Sequence, residues 1–168
     1  MENTPTAPLP QVTFRETVRE QDAADIRRIV QDTGFFTPEE VDVAEELVRE
    51  HLAHGDASGY HFIMAEQQDE LVGYACYGPT PAAEGTYDLY WIAVDPARRN
   101  MGLGKQLIAA TAHKVRARNG RLLFAETSGM EKYGSTRAFY TRTGFTAEAV
   151  LKDFYRPGDD KVIYRLEV

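Results

Sequence analysis

Residues 94–105 read Val94-Asp95-Pro96-Ala97-Arg98-Arg99-Asn100-Met101-Gly102-Leu103-Gly104-Lys105. An apolar run ends at a proline, two arginines follow, and two glycines open an amphipathic segment. A strand that turns through glycines into a helix predicts a seat for a phosphate. Glycine lets backbone N–H groups approach an anion closely, and the positive end of the helix dipole faces the same point. Arg98, Arg99 and Lys105 add charge-assisted donors. The same residues also suit a plain strand–turn–helix junction with solvated basic side chains, because short glycine patterns recur by chance.

Spacing removes two phosphate-binding alternatives. A Walker A loop needs glycine five residues before the final Gly-Lys and Ser or Thr after it, and here those positions hold Arg99 and Gln106. A dinucleotide fingerprint needs a third glycine where the chain has Leu107.

Working outward, Thr86–Val94 reads as a strand before the turn, and Leu103, Leu107, Ile108, Ala110, Thr111 and Val115 give the following helix an apolar stripe ending at Gly120. Upstream, Val12–Thr17 alternates as a first strand. Asp22 is placed to cap a helix carrying Ile26, Ile29 and Val30 on one face. Thr37-Pro38-Glu39-Glu40 starts a second helix that runs to about His54. Strands Tyr60–Glu66 and Leu71–Tyr77 flank the polar turn Gln67–Glu70. Downstream come a strand, Arg121–Thr127, and a short helix, Thr136–Thr143. A hairpin of Phe145–Tyr155 and Lys161–Val168 then turns around Pro157–Asp160. Strand, helix and strand across positions four and five imply a parallel pair with a right-handed crossover, and the hairpins imply antiparallel neighbours. The expected class is therefore α/β (α+β), with a mixed sheet and helices on both faces.

A chain of 168 residues has the length of one domain with its own core, expected over residues 11–168. Residues 1–10 hold three prolines and are expected to be a flexible leader. There is no run of membrane-spanning length and no basic-then-apolar signal at the start, so no membrane partner is expected. The single cysteine excludes an internal disulfide and suits a reducing cytoplasm. A formal charge of −7 argues against broad nucleic-acid binding. His51 and His54 share a helix face without further ligands, so no metal is expected. Cys76 reads as a small buried residue and Trp91 as core. The chain is compatible with a monomer or a homodimer.

The spacing Arg99-x-x-Gly102-x-Gly104 after Trp91–Pro96, with the later segment Arg137-Ala138-Phe139-Tyr140-Thr141-Arg142-Thr143-Gly144-Phe145, resembles the GCN5-related N-acetyltransferases (GNAT). The resemblance runs from about Val12 to the end. It implies a mostly antiparallel sheet of about seven strands whose fourth and fifth strands start as neighbours and splay apart. It implies an acyl-CoA whose pantetheine lies against Ile92, Ala93 and Val94, with the pyrophosphate on the amides of Arg99, Asn100, Met101, Gly102, Leu103 and Gly104, beside Lys105. The family often has glycine where this chain has Asn100, and asparagine tolerates a left-handed backbone. It often has a cofactor-facing asparagine where this chain has Tyr133; Ser135 or Thr136 is the expected substitute.

The activity implied is acetyl-CoA-dependent transfer to a primary amine of a small molecule or a protein or peptide, without a metal. A longer acyl donor and a non-catalytic acyl-CoA sensor are the alternatives. Such transfer needs deprotonation of the amine and protonation of a leaving thiolate. Tyr140 matches the family's tyrosine beside the sulfur and is the candidate acid; the ordinary alternative is a core aromatic. Glu126 ends the apolar strand Leu122–Thr127, where a carboxylate must be paired, exposed or used. It is the candidate base, with Asp88 as second choice. Acceptor contacts are expected from Phe35, Asp88, Tyr90, Arg156 and Asp159. Phe35-Phe36 also reads as a hydrophobic staple into the second helix.

Overall fold

The computed structural model describes residues 11–168; the leader expected over residues 1–10 lies outside the described residues. In chain order the elements are β1 Thr13–Arg15, α1 Glu20–Asp32, α2 Pro38–His54, β2 His61–Gln67, β3 Glu70–Pro79, β4 Thr86–Val94, α3 Leu103–Ala117, β5 Leu122–Ser128, α4 Gly134–Arg142, β6 Thr146–Arg156 and β7 Asp159–Glu167. No helix among them is long and apolar enough to cross a membrane.

Strand β3 is buried from Leu71 to Gly78, as a strand covered on both faces must be. One face meets α3, through Val72, Ala75, Tyr77, Leu107 and Val115. The other meets α1 and α2, through Tyr74, Cys76, Ile26, Val30 and Val48. Among the described residues the strands form one seven-stranded sheet in the order β1-β2-β3-β4-β5-β7-β6. Its neighbours are antiparallel except for the parallel pair β4–β5, whose crossover is α3.

That parallel pair is short. β4 and β5 are in register from Thr86 with Leu122 to Leu89 with Ala125, and then part. β4 stays paired with β3 as far as Val94, and β5 with β7 as far as Ser128. Where they part, the β3–β4 register passes from Tyr77–Leu89 to Cys76–Trp91, leaving Tyr90 as an extra residue. A bulge bends its strand and increases local twist. Here it turns the end of β4 away from β5 and opens a V between them.

Most element ends shift by one or two residues from the sequence reading, and three of the differences have a local physical reason. α1 begins at Glu20, so Asp22 sits in its first turn rather than at the cap; its carboxylate accepts from the Arg19 amide at 2.7 Å. The same carboxylate accepts from Arg15 Nη1 and Nη2 at 2.8 and 2.6 Å, while Arg15 Nε donates to Glu66 at 2.7 Å. A carboxylate held by β1 and by the N-cap amide serves better at the third helical position than before the helix. The β2–β3 turn narrows to Gln68 and Asp69, both at positive φ (53° and 63°), the two-residue geometry that matches strand twist. The terminal turn likewise narrows to Pro157-Gly158, because Asp159 pairs with Arg156. Residues 152–155 of β6 stand out of the ladder around Asp153 at φ 51°.

The buried Asp22–Arg15 pair ties β1 to α1. Asp22→Ala is expected to cost about 2 kcal/mol in urea denaturation, the loss typical of charge-assisted hydrogen bonds, since Arg15 keeps its bond to Glu66 at 2.7 Å. A midpoint equal to that of the parent would show the pair to be idle.

Candidate active site

The stretch between β4 and α3 is fixed locally before any ligand is considered. Asp95 closes the end of β4: its carboxylate accepts from the Ala97 amide at 2.9 Å and from Arg28 at 3.1 Å. Partial burial pushes this carboxyl's pKa up, but those donors prevail and hold it below its usual value. Asn100 (φ 62°) and Gly102 (φ 73°) then take left-handed backbone, and α3 starts at Leu103. The first-turn amides of Leu103, Gly104 and Lys105 have no acceptor within the helix.

The two glycines do different work. A side chain at Gly102 would meet nothing within 4 Å, so the backbone conformation is what requires glycine there. A Cβ at Gly104 would lie 2.9 Å from Phe139 Cε2, so that glycine lets α4 approach α3. The basic residues also differ. Arg98 is tied to the β2–β3 hairpin through Gln67 at 2.8 Å, while Arg99 reaches the Thr33 carbonyl at 3.4 Å.

A cleft of about 1160 Å³ joins this turn to the V. Asn100, Gly102, Leu103, Gly104 and Lys105 border it, as do Arg99, Ile92, Ala93, Val94, Ser135 and Thr136. Met101 is exposed and lies outside its lining. The edge of β4 that β5 has left runs along the cleft, an open row of backbone donors and acceptors.

Tyr140 and Glu126 both line the cleft. Tyr140 is packed edge-on to Phe145 (5.2 Å between centroids) and beside Tyr164 (5.3 Å). Burial, with the Tyr164 phenol near, pushes its hydroxyl pKa well up. It is therefore a proton-bearing donor throughout the neutral range. Glu126 stands where β4 has departed, half exposed, and its Oε2 pairs with Lys161 Nζ at 2.5 Å. Lys161 Nζ also sits 4.0 Å from the Phe154 ring centroid, a cation–π contact. Asp88 lines the cleft but accepts from the Thr80 hydroxyl at 2.6 Å.

The expected acceptor residues divide. Phe35 and Tyr90 join Asp88 in the lining. Phe36 packs on Trp91, with centroids 4.7 Å apart, and Trp91 itself is half-buried and borders the cleft. Arg156 and Asp159 lie outside the lining: buried Asp159 accepts from Ser128 Oγ at 2.5 Å, with Arg156 Nε 3.6 Å away. The pair fastens the hairpin to the end of β5.

Lys161, Lys132 and Tyr133 make contacts that sequence reading did not assign. Lys161 opposes Ser128 across the β5–β7 ladder, two residues from Glu126, a diagonal visible only once that pairing is known. Cys76 is buried and its thiol is pushed up by burial. No cluster of three or more His, Cys, Asp or Glu side chains suited to a metal occurs among the described residues.

Residues 23–145 match the Acetyltransferase (GNAT) family. A mycothiol acetyltransferase of Amycolatopsis mediterranei is 30% identical over 143 residues, which is 80% of this chain and 46% of that protein; the chain thus spans about half the length of this relative. A crystal structure of a GNAT-family protein from Desulfovibrio desulfuricans is 66% identical, covers 94% of this chain and 99% of its own, and superposes with a TM-score of 0.92. The ribosomal-protein-S18-alanine N-acetyltransferase from Escherichia coli shares the fold at 19% identity, with 94% of each chain covered and a TM-score of 0.72.

The left-handed turn is testable without substrate. Asn100→Gly should keep the parent's stability, whereas Asn100→Ala should lose about 1 kcal/mol in urea denaturation. Equal stability of the two variants would refute the conformational requirement.

Proposed function

The chain belongs to the GNAT acetyltransferase family, and we propose that it moves an acetyl group from acetyl-CoA directly to a primary amine. One observation carries this reading: Asn100 and Gly102–Gly104 of the turn, the open edge of β4, Tyr140 and Glu126 all border one continuous cleft.

The cleft suits the donor. Peptide groups of Ile92, Ala93 and Val94 would pair with a pantetheine arm as an added strand pairs with a sheet edge. The amides from Arg99 to Gly104, with Lys105, would take the pyrophosphate. Thr136 borders the same stretch of cleft. When bound, acetyl-CoA supplies the acetyl group as a thioester.

The protein's own task is then to move protons. An alkylammonium has an unperturbed pKa of about 10 and must be neutral to attack. Glu126 accepts that proton directly or through water, since its Oε1 has no partner among the described residues. As the C–N bond forms and the C–S bond breaks, Tyr140 Oη protonates the sulfur. The second amine proton restores the phenol. The balance is one proton released, which Glu126 passes to solvent from its exposed side.

A panel of amines with acetyl-CoA, followed by free-thiol release, tests the reading. Turnover on a primary amine supports it; binding of acetyl-CoA without turnover on any acceptor would favour a sensor. Tyr140→Phe should lower kcat about 100-fold, a typical general-acid contribution, with little change in the KM for acetyl-CoA. Full kcat in that variant would discard the acid role. Glu126→Gln should lower kcat about 100-fold, a typical general-base contribution, with the KM for acetyl-CoA little changed, and full kcat would assign the base elsewhere.

Tyr140 also has a pH signature. The folded state holds its phenolic proton more tightly than the unfolded chain does. Its contribution to stability is therefore complete below about pH 10 and falls as pH rises further. In alkaline unfolding titrations the parent should lose more stability than Tyr140→Phe above that point; parallel curves would contradict the burial effect.

A further inference from the structure

The resemblance implies a cofactor-facing asparagine at position 133, and the chain has tyrosine there. The structure gives this side chain another task. Tyr133 Oη donates to the Phe35 carbonyl oxygen at 3.2 Å, and Lys132 Nζ donates to the same oxygen at 2.9 Å. The Tyr133 and Phe35 rings lie 5.9 Å apart, and Lys132 Nζ stands 5.7 Å from the Phe35 ring centroid. Burial, with Glu40 and Asp159 near, pushes the Tyr133 phenol up, so it remains a donor.

These contacts join two sides of the V. Lys132 and Tyr133 follow β5, whereas Phe35 belongs to the α1–α2 loop, which is anchored on β4 where Phe36 packs on Trp91. The bridge spans the gap that opens when the strands part, and Phe35, Phe36 and Tyr133 border the cleft. Lys132 and Tyr133 lie just beyond the end of β5 that carries Glu126, and Met130 beside them meets Arg156 of the β6–β7 hairpin, with Nη2 3.6 Å from Sδ. The bridge therefore stands on the Glu126 side of the cleft.

We propose that Lys132 and Tyr133 determine acceptor specificity: by gripping the Phe35 carbonyl they roof the acceptor end, which then takes a primary amine at the tip of an unbranched chain and excludes amines carried on bulky rings. Under that roof the walls include Tyr90, Trp91, Phe124 and Tyr155. Aromatic faces suit an apolar stem and attract the ammonium it carries. Neither donor has to touch the acceptor; both act through the position of Phe35. The specificity claim rests on the acetyltransferase reading, but the bridge itself does not.

The test is the double variant Tyr133→Phe with Lys132→Met, which keeps apolar bulk and removes both donors. Amide hydrogen exchange at residues 33–36, which needs no substrate, should become faster. The ratio of kcat/KM for a ring-borne amine over an unbranched alkylamine should rise on the order of tenfold, the scale of steric discrimination in a pocket. Lys132→Arg, which retains a donor, should keep the parent's ratio. Unchanged exchange overturns the bridge. Turnover with an unchanged ratio, or a parent that already prefers ring-borne amines, overturns the specificity claim alone. A parent that acetylates no amine overturns the acetyltransferase reading together with the specificity claim, while exchange still decides the bridge.

Discussion

Everything functional in this fold depends on a hydrogen-bond ladder that stops early. β4 and β5 share register only as far as Leu89 and Ala125. Beyond that point each strand keeps its other neighbour, β3 or β7, so the sheet remains whole on either side of the opening. The extra residue at Tyr90 makes this possible: it bends β4 while β3 continues beside it. The cost is an edge of unpaired peptide groups, which in a buried sheet would be destabilising. Opening the edge onto a cleft lets water or an extended ligand satisfy it, and so a defect in pairing becomes a binding surface.

The two ends of that cleft have different electrostatic character because different elements border them. At one end the start of α3 presents amides and a positive dipole, beside Arg99 and Lys105. At the other end Glu40, Asp88 and Glu126 share the lining with aromatic side chains. An anionic ligand suits the first end and a cationic one the second, which is the arrangement that the proposed transfer requires, with Tyr140 and Glu126 between them. The overall charge of −7 says nothing of this arrangement, because the few basic side chains at the turn outweigh it locally.

Local signals in the sequence recovered most of the fold. The apolar stripes of α1 and α3, the Thr37–Glu40 capping box and the glycine turn each depend on neighbours within a few residues, and each appears in the structure. The positive φ of Asn100 bears out the substitution of asparagine for glycine. What the sequence did not disclose depends on pairing between distant segments. Asp22 looks like a cap until β1 brings Arg15 against it. Lys161 reads as an ordinary strand residue until β7 inserts beside β5. Arg156 and Asp159 look available for a substrate until Ser128 takes the Asp159 carboxylate. Tyr133 shows only as a departure from a family pattern; its partner is a carbonyl 98 residues away.

The Glu126–Lys161 pair shows why such distant contacts matter to chemistry. A carboxylate at the end of an apolar strand has two oxygens to satisfy, and here the structure divides them. Oε2 is held by an ammonium that is itself only 13% exposed and backed by the Phe154 ring. Fixing one oxygen restricts rotation of the carboxylate, so Oε1 is presented in a limited arc instead of sampling solvent freely. Preorganisation of this kind lowers the entropy lost when a ligand is bound there. It also ties the site to the bulge at residues 152–155, because that bulge supplies the ring behind Lys161 and places Tyr155 in the cleft lining. The irregularity in β6 thus joins the irregularity in β4 in shaping the cleft: each departure from a regular ladder aims side chains that a regular strand would have pointed elsewhere.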